Sequence, residues 1–322
     1  MPRLDSLRRR LNHRRMGAYL LRRLLQSLIV LAITVVIVFL LLFLSGNPAL
    51  LLLPPDASPA DIAVFSHEMG FDQPLLTQLA HFAGNLLQGD FGRSWRFQQP
   101  ALPIVLERLP ATIELALAAL VLALLIGIPA GIYSALHRDR IGDGASMTLA
   151  LLGQSIPSFW LGIMLILLFA VELGLLPTSG RNGLASLVLP ATSLALALVG
   201  RIARLMRSSL LEVLNEDYVR TARAKGLPER IVINKHALMN ALLPIVTIVG
   251  LEFGHLLGGT VIIETVFSWP GIGLLAVQSI GGRDYPVVQA VILIAATGFI
   301  LINLAVDLLY LWLDPRIAYG RG

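Results

Sequence analysis

The sequence contains no cysteine and few charged residues, and both shortages limit what the protein can be. The complete absence of Cys among 322 residues excludes disulfides, thiolate chemistry and cofactors held by cysteine. Charged residues make up only 14% of the chain and hydrophobic residues 56%, and the mean hydropathy is +0.77. This composition is typical of a chain whose solvent is largely lipid, so the sequence predicts an all-α integral membrane protein.

The sequence also lacks the short motifs of several enzyme classes. No G-x-x-x-x-G-K-[ST] phosphate loop occurs, so energy for any active process must come from another chain or from an ion gradient. Neither H-E-x-x-H nor G-x-S-x-G is present, which argues against an intramembrane hydrolase. The net charge of +5 comes from cations beside apolar runs, so we expect no nucleic-acid binding.

A window of about 19 residues finds six apolar runs that are long enough to cross a membrane. The first run follows a cluster of arginines but is longer than the roughly 7 to 15 apolar residues of a cleaved signal peptide. We therefore expect it to be a retained anchor. The six predicted spans cover residues 24–44, 111–135, 147–171, 184–203, 238–266 and 287–313.

Most Lys and Arg residues lie on one side of the membrane when successive spans are taken to cross it in opposite directions. Of the 25 Lys and Arg residues, 20 lie on the side of the N-terminus. The other side holds only Arg93, Arg96, Arg108, Arg181 and Arg283. Because cytoplasmic segments carry the excess of Lys and Arg, both termini are predicted to be cytoplasmic.

The predicted topology divides the chain into three parts. Residues 1–45 form the cytoplasmic N-terminus and first span, and residues 46–107 form an external, periplasmic helical segment. Residues 108–322 form the transmembrane core, with a cytoplasmic loop at residues 208–237.

The external segment carries two signals for helices. Ser58, Pro59 and Asp61 supply an N-cap, a first-turn proline and a first-turn acid. A second helix is expected after Asp72, and its apolar stripe fits either a docking surface or a lid packed on the helix ends. The stripe consists of Leu75, Leu76, Leu79, Phe82, Leu86 and Leu87.

Helix-breaking and small residues within the spans indicate a bundle. We expect helix breaks at Pro129 and Pro157, and in lipid the freed carbonyls need neighbouring helices or a cavity. Gly250 and Gly254 have the spacing that allows another helix to approach closely.

The cytoplasmic loop contains a short basic helix, a turn and a second helix. Asp217 is expected to cap the first helix, Gly226 to take the left-handed conformation after it, and Pro228 to start the next one. A slim, rigid helix fits a groove on a soluble partner, although a surface connector held by anionic lipid also fits. The predicted contact residues are Asp217, Tyr218, Arg220, Thr221, Ala222, Arg223, Ala224, Lys225 and Gly226.

A few polar side chains lie within the predicted spans. Glu252 and His255 share a helical face. A charge there raises the free energy of membrane insertion by about 2.5 to 3.5 kcal/mol, which favours a position in the bundle interior or next to water. One alternative is that they line a pathway and contact a substrate amine or a passing metal ion. The other is that they form a pair that joins helices. Glu264 lies near the outer end, where it serves a gate or faces water. Asn303 and Asp307 share a face of the last span, where a helix-to-helix hydrogen bond is favoured.

Several segments of the chain resemble landmarks of one protein family. Arg220-Thr221-Ala222 and Gly226 stand where the family motif Glu-Ala-Ala-x-x-x-Gly forms a coupling helix, although the glutamate is missing here. With the landmarks below, nearly the whole chain resembles the inner-membrane permease subunits of bacterial ATP-binding-cassette (ABC) importers, in the dipeptide, oligopeptide and nickel group. The landmarks are Gly70-Phe71-Asp72-Gln73-Pro74, Gly89-Asp90-Phe91-Gly92, Leu109-Pro110-Ala111-Thr112-Ile113-Glu114-Leu115, Ile156-Pro157-Ser158-Phe159-Trp160, Leu176-Pro177-Thr178-Ser179-Gly180-Arg181, Glu264-Thr265-Val266-Phe267-Ser268-Trp269-Pro270-Gly271 and Asp284-Tyr285-Pro286-Val287-Val288.

The resemblance implies a type I importer permease fold in the bacterial inner membrane. It implies a second homologous permease subunit, two ATP-binding subunits and a periplasmic substrate-binding protein as partners. This chain is expected to bind no cofactor and no permanent metal, while the partner subunits use ATP and Mg.

The implied cargo is a small peptide or a nickel or other metal chelate. The short external loop at residues 172–183 and the Glu252 and His255 pair favour the metal chelate slightly. The alternative is a stand-alone, proton-coupled secondary transporter that uses Glu252 and His255 as a proton relay.

Overall fold

The computed structural model describes residues 21–41, 53, 57–68 and 70–313, and helices dominate these residues. No β-strand occurs in the described ranges, where an isolated bridge joins Arg93 and Pro100. The all-α prediction is therefore confirmed. The helices are α1 (Leu21–Leu41), α2 (Pro59–Glu68), α3 (Leu75–Leu87), α4 (Ala101–Leu136), α5 (Ile141–Ser155), α6 (Ser158–Glu172), α7 (Leu184–Leu214), α8 (Asp217–Ala224), α9 (Glu229–Ala241), α10 (Leu243–Gly259), α11 (Val261–Val266), α12 (Ile272–Gly281) and α13 (Tyr285–Leu313).

Four of these helices, α1, α4, α7 and α13, are long and apolar enough to cross a membrane. The count rises to six if the bent pairs α5–α6 and α9–α10 each form one span. The prediction of about six spans is therefore compatible with the structure. The arginines before residue 21 and the chain after residue 313 lie outside the described residues, so the orientation of the termini stays a prediction.

Two of the predicted spans are not continuous helices. The span predicted at residues 147–171 bends by 96° between α5 and α6. The span predicted at residues 238–266 contains a 43° bend before α10 and a second break at Thr260, between α10 and α11. Hydropathy reports apolar length but not direction, so it does not show these bends, and the proline signal at Pro157 indicated only the first of them.

The two prolines that were expected to break helices behave differently. Pro157 does break its helix, because Ile156 before it is extended with φ −81° and ψ 124°, as the residue before proline prefers. The expected break at Pro129 is wrong, since α4 continues through it. Close to Pro129, a Cβ added at Gly131 would lie 2.6 Å from Met206 Cβ, so α7 packs directly on this part of α4.

The chain divides into two compact units. Among the described residues, one contains those from 21 to 110 together with 275–304, and the other contains 111–274 and 305–313. The three-part division predicted from the topology stays a prediction.

In the first unit, both predicted external helices are present. At the start of α2, the backbone N–H of Asp61 donates to Ser58 Oγ, and the N–H of Ser58 donates to Asp61 Oδ2, each at 3.2 Å. The N-cap that the sequence indicated at Ser58 is present, and the bond from Ser58 N–H to Asp61 makes it reciprocal. On α3, the ring of Phe82 packs 5.8 Å from that of Phe39 on α1, while Leu87 is 90% exposed. The predicted stripe is therefore only partly covered.

The loop between α3 and α4 is anchored by the buried carboxylate of Asp284. Ser94 Oγ donates to Asp284 Oδ2, and the backbone N–H groups of Trp95 and Arg96 donate to the same carboxylate at 3.0 and 3.4 Å. The rings of Trp95 and Tyr285 lie 5.5 Å apart. The landmark that begins at Asp284 and the loop that directly follows the Gly89–Gly92 landmark therefore meet in one hydrogen-bonded cluster.

In the second unit, α7 runs for 31 residues, about 46 Å at 1.5 Å per residue. The hydrocarbon core of a bilayer is about 30 Å thick, so the helix is longer than a perpendicular span needs. Glycines bring α5 close to it. A Cβ added at Gly153 would lie 2.9 Å from Leu196 Cγ, and Gly200 packs against the carbonyl of Ala150.

The predicted small-residue packing on α10 is present at Gly250. A Cβ added there would collide with Val306 of α13. Gly258 and Gly259, in contrast, have open space around them.

Candidate functional site

The segment expected to contact a partner forms a helix, a glycine turn and a helix. Gly226 has φ +75°, the left-handed conformation that the sequence predicts, and α9 starts immediately after Pro228. The predicted cap is wrong in detail. Glu216, in an extended conformation, occupies the N-cap position with no side-chain hydrogen bond, and Asp217 is the first helical residue. There its charge still favours the positive end of the helix dipole.

One face of α8 is turned into the protein. Val219 and Ala222 are buried and form a cluster with Val232 of α9. Ala222 was expected to contact a partner, but it holds α8 in place instead. The remaining predicted contact residues are all exposed: Asp217, Tyr218, Arg220, Thr221, Arg223, Ala224, Lys225 and Gly226.

Side-chain hydrogen bonds tie both ends of α8 to α9. Arg223 donates to Glu229 through Nε at 3.1 Å and Nη2 at 2.6 Å, and this hydrogen bonding raises the pKa of Arg223. Near the other end, Asn240 Nδ2 donates to Tyr218 Oη at 2.8 Å. The helix is thus preorganised, with a fixed inner face and an exposed outer face.

Glu252 is paired with a residue that sequence reasoning did not consider. Arg201 Nη2 on α7 donates to Glu252 Oε2 on α10 at 3.0 Å. The Glu252 side chain is 9% exposed and the Arg201 side chain 42% exposed. Neighbouring His255 is exposed. Arg201 lies 51 positions before Glu252 and was counted only as a cytoplasmic cation, so no local pattern linked the two.

Glu264 is fully buried, so the alternative that it faces water is wrong, while its service in a gate stays a prediction. Its Oε1 accepts hydrogen bonds from Thr112 Oγ1 at 2.7 Å and Thr260 Oγ1 at 2.8 Å. Its Oε2 accepts one from the backbone N–H of Leu274 at 2.9 Å. The Thr112 hydroxyl in turn accepts from the N–H of Ile272 at 2.9 Å. The carboxylate therefore joins α4 to α11 and α12.

A second ion pair that sequence reasoning missed joins α5 to α7. Arg207 donates to Asp143 through Nε at 2.8 Å and Nη2 at 2.7 Å. Ser134 Oγ also donates to this carboxylate. The geometry is that of a bidentate structural pair.

The remaining polar candidates form no metal site. Asn303 and Asp307 are half-buried on α13, and their predicted helix-to-helix contact stays a prediction. Within the described ranges, no group of three or more His, Asp or Glu side chains could hold a metal ion.

Comparisons with known proteins cover almost the whole chain. Residues 127–319 match the family described as "Binding-protein-dependent transport system inner membrane component", and residues 16–116 match its N-terminal part. The chain is 46% identical over 276 residues to the glutathione transport system permease protein GsiC of Escherichia coli strain K12, which covers 86% of this chain and 90% of that protein. The protein of the same name from Salmonella choleraesuis strain SC-B67 is 45% identical over the same lengths.

Among solved structures, the chain resembles an inward-facing form of the MetNI methionine ABC transporter. The TM-score is 0.55 at 20% identity, over 66% of this chain and 96% of that one. This likeness concerns the fold, and it confirms the predicted importer permease fold.

Proposed function

Because this chain belongs to the inner membrane components of binding-protein-dependent transport systems and is the permease subunit of an ABC importer, we propose that it translocates a small peptide when partner subunits hydrolyse ATP. In this proposal a second homologous permease completes the translocation pathway. Two ATP-binding subunits dock on the cytoplasmic side, and a periplasmic binding protein delivers the peptide.

The observation that carries the proposal is the construction of α8. Val219 and Ala222 fix its inner face, and Arg223 and Tyr218 tie its ends to α9, so little conformational entropy remains to be lost on docking. Its outer face is exposed and carries Arg220, which suits a groove on a soluble ATPase subunit. The chain has no phosphate loop of its own, so the force for transport must enter through such a contact.

Two observations favour a peptide over a metal chelate as the cargo. The relative with 46% identity is named as a glutathione permease. In addition, the Glu252 carboxylate is paired with the Arg201 guanidinium, and a metal cation would have to compete with that positive charge. The pair of Glu252 and His255, on which the preference for nickel partly rested, therefore no longer supports it.

The test is uptake by the complete complex reconstituted in vesicles with its binding protein. We expect radiolabelled small peptides to accumulate only when ATP is present on the side of the ATPase subunits, and nickel chelates to remain outside. Uptake by this chain without the ATPase subunits, driven by a proton gradient, would establish a secondary transporter instead. ATP-dependent uptake of a nickel chelate but not of peptides would overturn the cargo assignment.

A further inference from the structure

Two arginines lie one turn apart on α7. Arg201 is exposed and Arg204 is half-buried. Residues three positions apart in a helix are neighbours on its surface, with Cβ atoms about 5 to 6 Å apart. Ser208, which is also exposed, extends the same face by one further turn. The face is therefore polar and cationic at the point where the predicted span 184–203 ends.

Each arginine is held by a side chain from a different neighbouring helix. Arg201 Nη2 donates to Glu252 Oε2 of α10 at 3.0 Å, and Arg204 Nη2 donates to Gln154 Oε1 of α5. A guanidinium carries five N–H donors, and each of these contacts uses one nitrogen. Both side chains are thus oriented by the protein while further donors stay available to a ligand.

The charge balance of this cluster favours an anion. Two guanidinium groups and one carboxylate leave an excess of one positive charge. Arg201 lies within the last turn of the predicted span, where a charge is favoured only if it faces the interior of the bundle or water. The Glu252 carboxylate holds Arg201 in position when no ligand is present, so the arginine does not have to be ordered on binding. Planar guanidinium groups match the geometry of carboxylates especially well.

We propose that Arg201 and Arg204 form a carboxylate-binding site on the translocation pathway, which makes the importer selective for small peptides with a net negative charge. The site deepens the proposed function and rests on it. A carboxylate of the passing peptide bridges the two guanidinium groups, and Glu252 acts as the positioning residue that keeps Arg201 available. Reduced glutathione, which carries two carboxylates and one ammonium group, has the required chemistry.

The experiment compares two peptides in the reconstituted complex, reduced glutathione and its diester, which carries no carboxylate. The readout is the uptake of each peptide by a variant divided by its uptake by the wild-type complex, so the preference of the binding protein cancels. We expect Arg201→Gln and Arg204→Gln each to lower this ratio for glutathione by about tenfold, the loss of one charge-assisted hydrogen bond, and to leave the ester within about twofold. Arg201→Lys retains the charge and should restore part of the uptake. The matched control Arg138→Gln removes an exposed cation outside the cluster and should affect both peptides equally.

An unpaired Glu252 could itself prevent folding, so Arg201→Gln is also combined with Glu252→Gln, which removes both charges at once. The double variant should assemble and show the same loss for glutathione alone. Equal losses for both peptides would overturn the site. A loss that depends on the anionic lipid content of the vesicles, whatever the charge of the peptide, would assign the arginines to lipid headgroups instead. If the wild-type complex imports no peptide with ATP, the proposed function itself fails, a result distinct from import with unchanged charge preference.

Discussion

Arg223 and Glu229 face each other across the turn at Gly226, joined by hydrogen bonds of 3.1 and 2.6 Å. Their side chains are 41% and 54% exposed, and exposed ion pairs contribute at most about 1 kcal/mol to stability. The pair therefore orients α8 on α9 more than it stabilises the fold.

We predict that Arg223→Glu lowers ATP-driven transport with little change in thermal stability, because the like charges push the two helices apart. Adding Glu229→Arg restores the pair with reversed polarity and should restore transport. Hydrogen exchange of the α8 amides, measured beside uptake, reports the loosening directly. A double variant that stays as inactive as the single variant would mean that Arg223 acts through a partner contact instead.

Replacing Gly226 with valine should weaken the association with the ATPase subunits. The residue has φ +75°, which a β-branched side chain rarely adopts, so the turn that fixes α8 would be strained. Asparagine tolerates this conformation and should be much milder.

The measurement for Gly226 is co-purification of the ATPase subunits with the permease. Gly89→Val is the matched control, because Gly89 also has a positive φ, of +79°, and open space around it, but lies in another loop. Equal loss of the ATPase subunits in both variants would show general misfolding rather than an effect on docking.

Replacing Thr112 with valine should destabilise the second unit by about 1 to 3 kcal/mol, the cost of leaving buried hydrogen-bonding groups without partners. The change removes a donor to Glu264 and the acceptor for the N–H of Ile272. Thermal unfolding of the purified protein measures this loss of stability. Thr265→Val is the control, since the Thr265 hydroxyl bonds only to Val261 O within its own helix; a similar loss there would contradict the role of Glu264 as a central acceptor.

Replacing Asp284 with asparagine should release the loop between α3 and α4. One of the two acceptor oxygens becomes an NH₂ group, which cannot accept a hydrogen bond. The carboxylate therefore loses either the bond from Trp95 N–H to Oδ1 or the bonds from Ser94 Oγ and Arg96 N–H to Oδ2. The purified variant should be cleaved faster by trypsin after Arg93 and Arg96. Asp90→Asn is the comparison, because Asp90 accepts a bond from Gly92 N at 2.8 Å in the same loop. Unchanged cleavage of the Asp284 variant would show that the anchor is dispensable.

Features that depend on short stretches of sequence could be predicted. The cap at Ser58 and Asp61 and the left-handed turn at Gly226 are set by residues within a few positions of one another. The apolar runs likewise predicted the approximate number of spans.

Features that depend on partners far away in the sequence could not be predicted. Glu252 reads as half of a pair with His255 because the two lie one turn apart, whereas Arg201 reaches it from another helix. Pro129 and Pro157 look alike in sequence, yet only the second interrupts its helix, and the close packing of α7 on α4 near the first depends on residues far away in the sequence. The signals that could have identified Arg201 were its position within the last turns of an apolar run and the cost of a cation there.

The length of α7 gives the molecule a mechanical property. Only two residues, Asn215 and Glu216, separate the end of this helix from α8. A movement of α7 therefore carries α8 with it. If one end of a helix about 46 Å long is held, a tilt of about 10° displaces the other end by about 8 Å. A small tilt of α7 is therefore a large displacement of α8. A force applied at α8 acts with leverage on the end of α7 that is held.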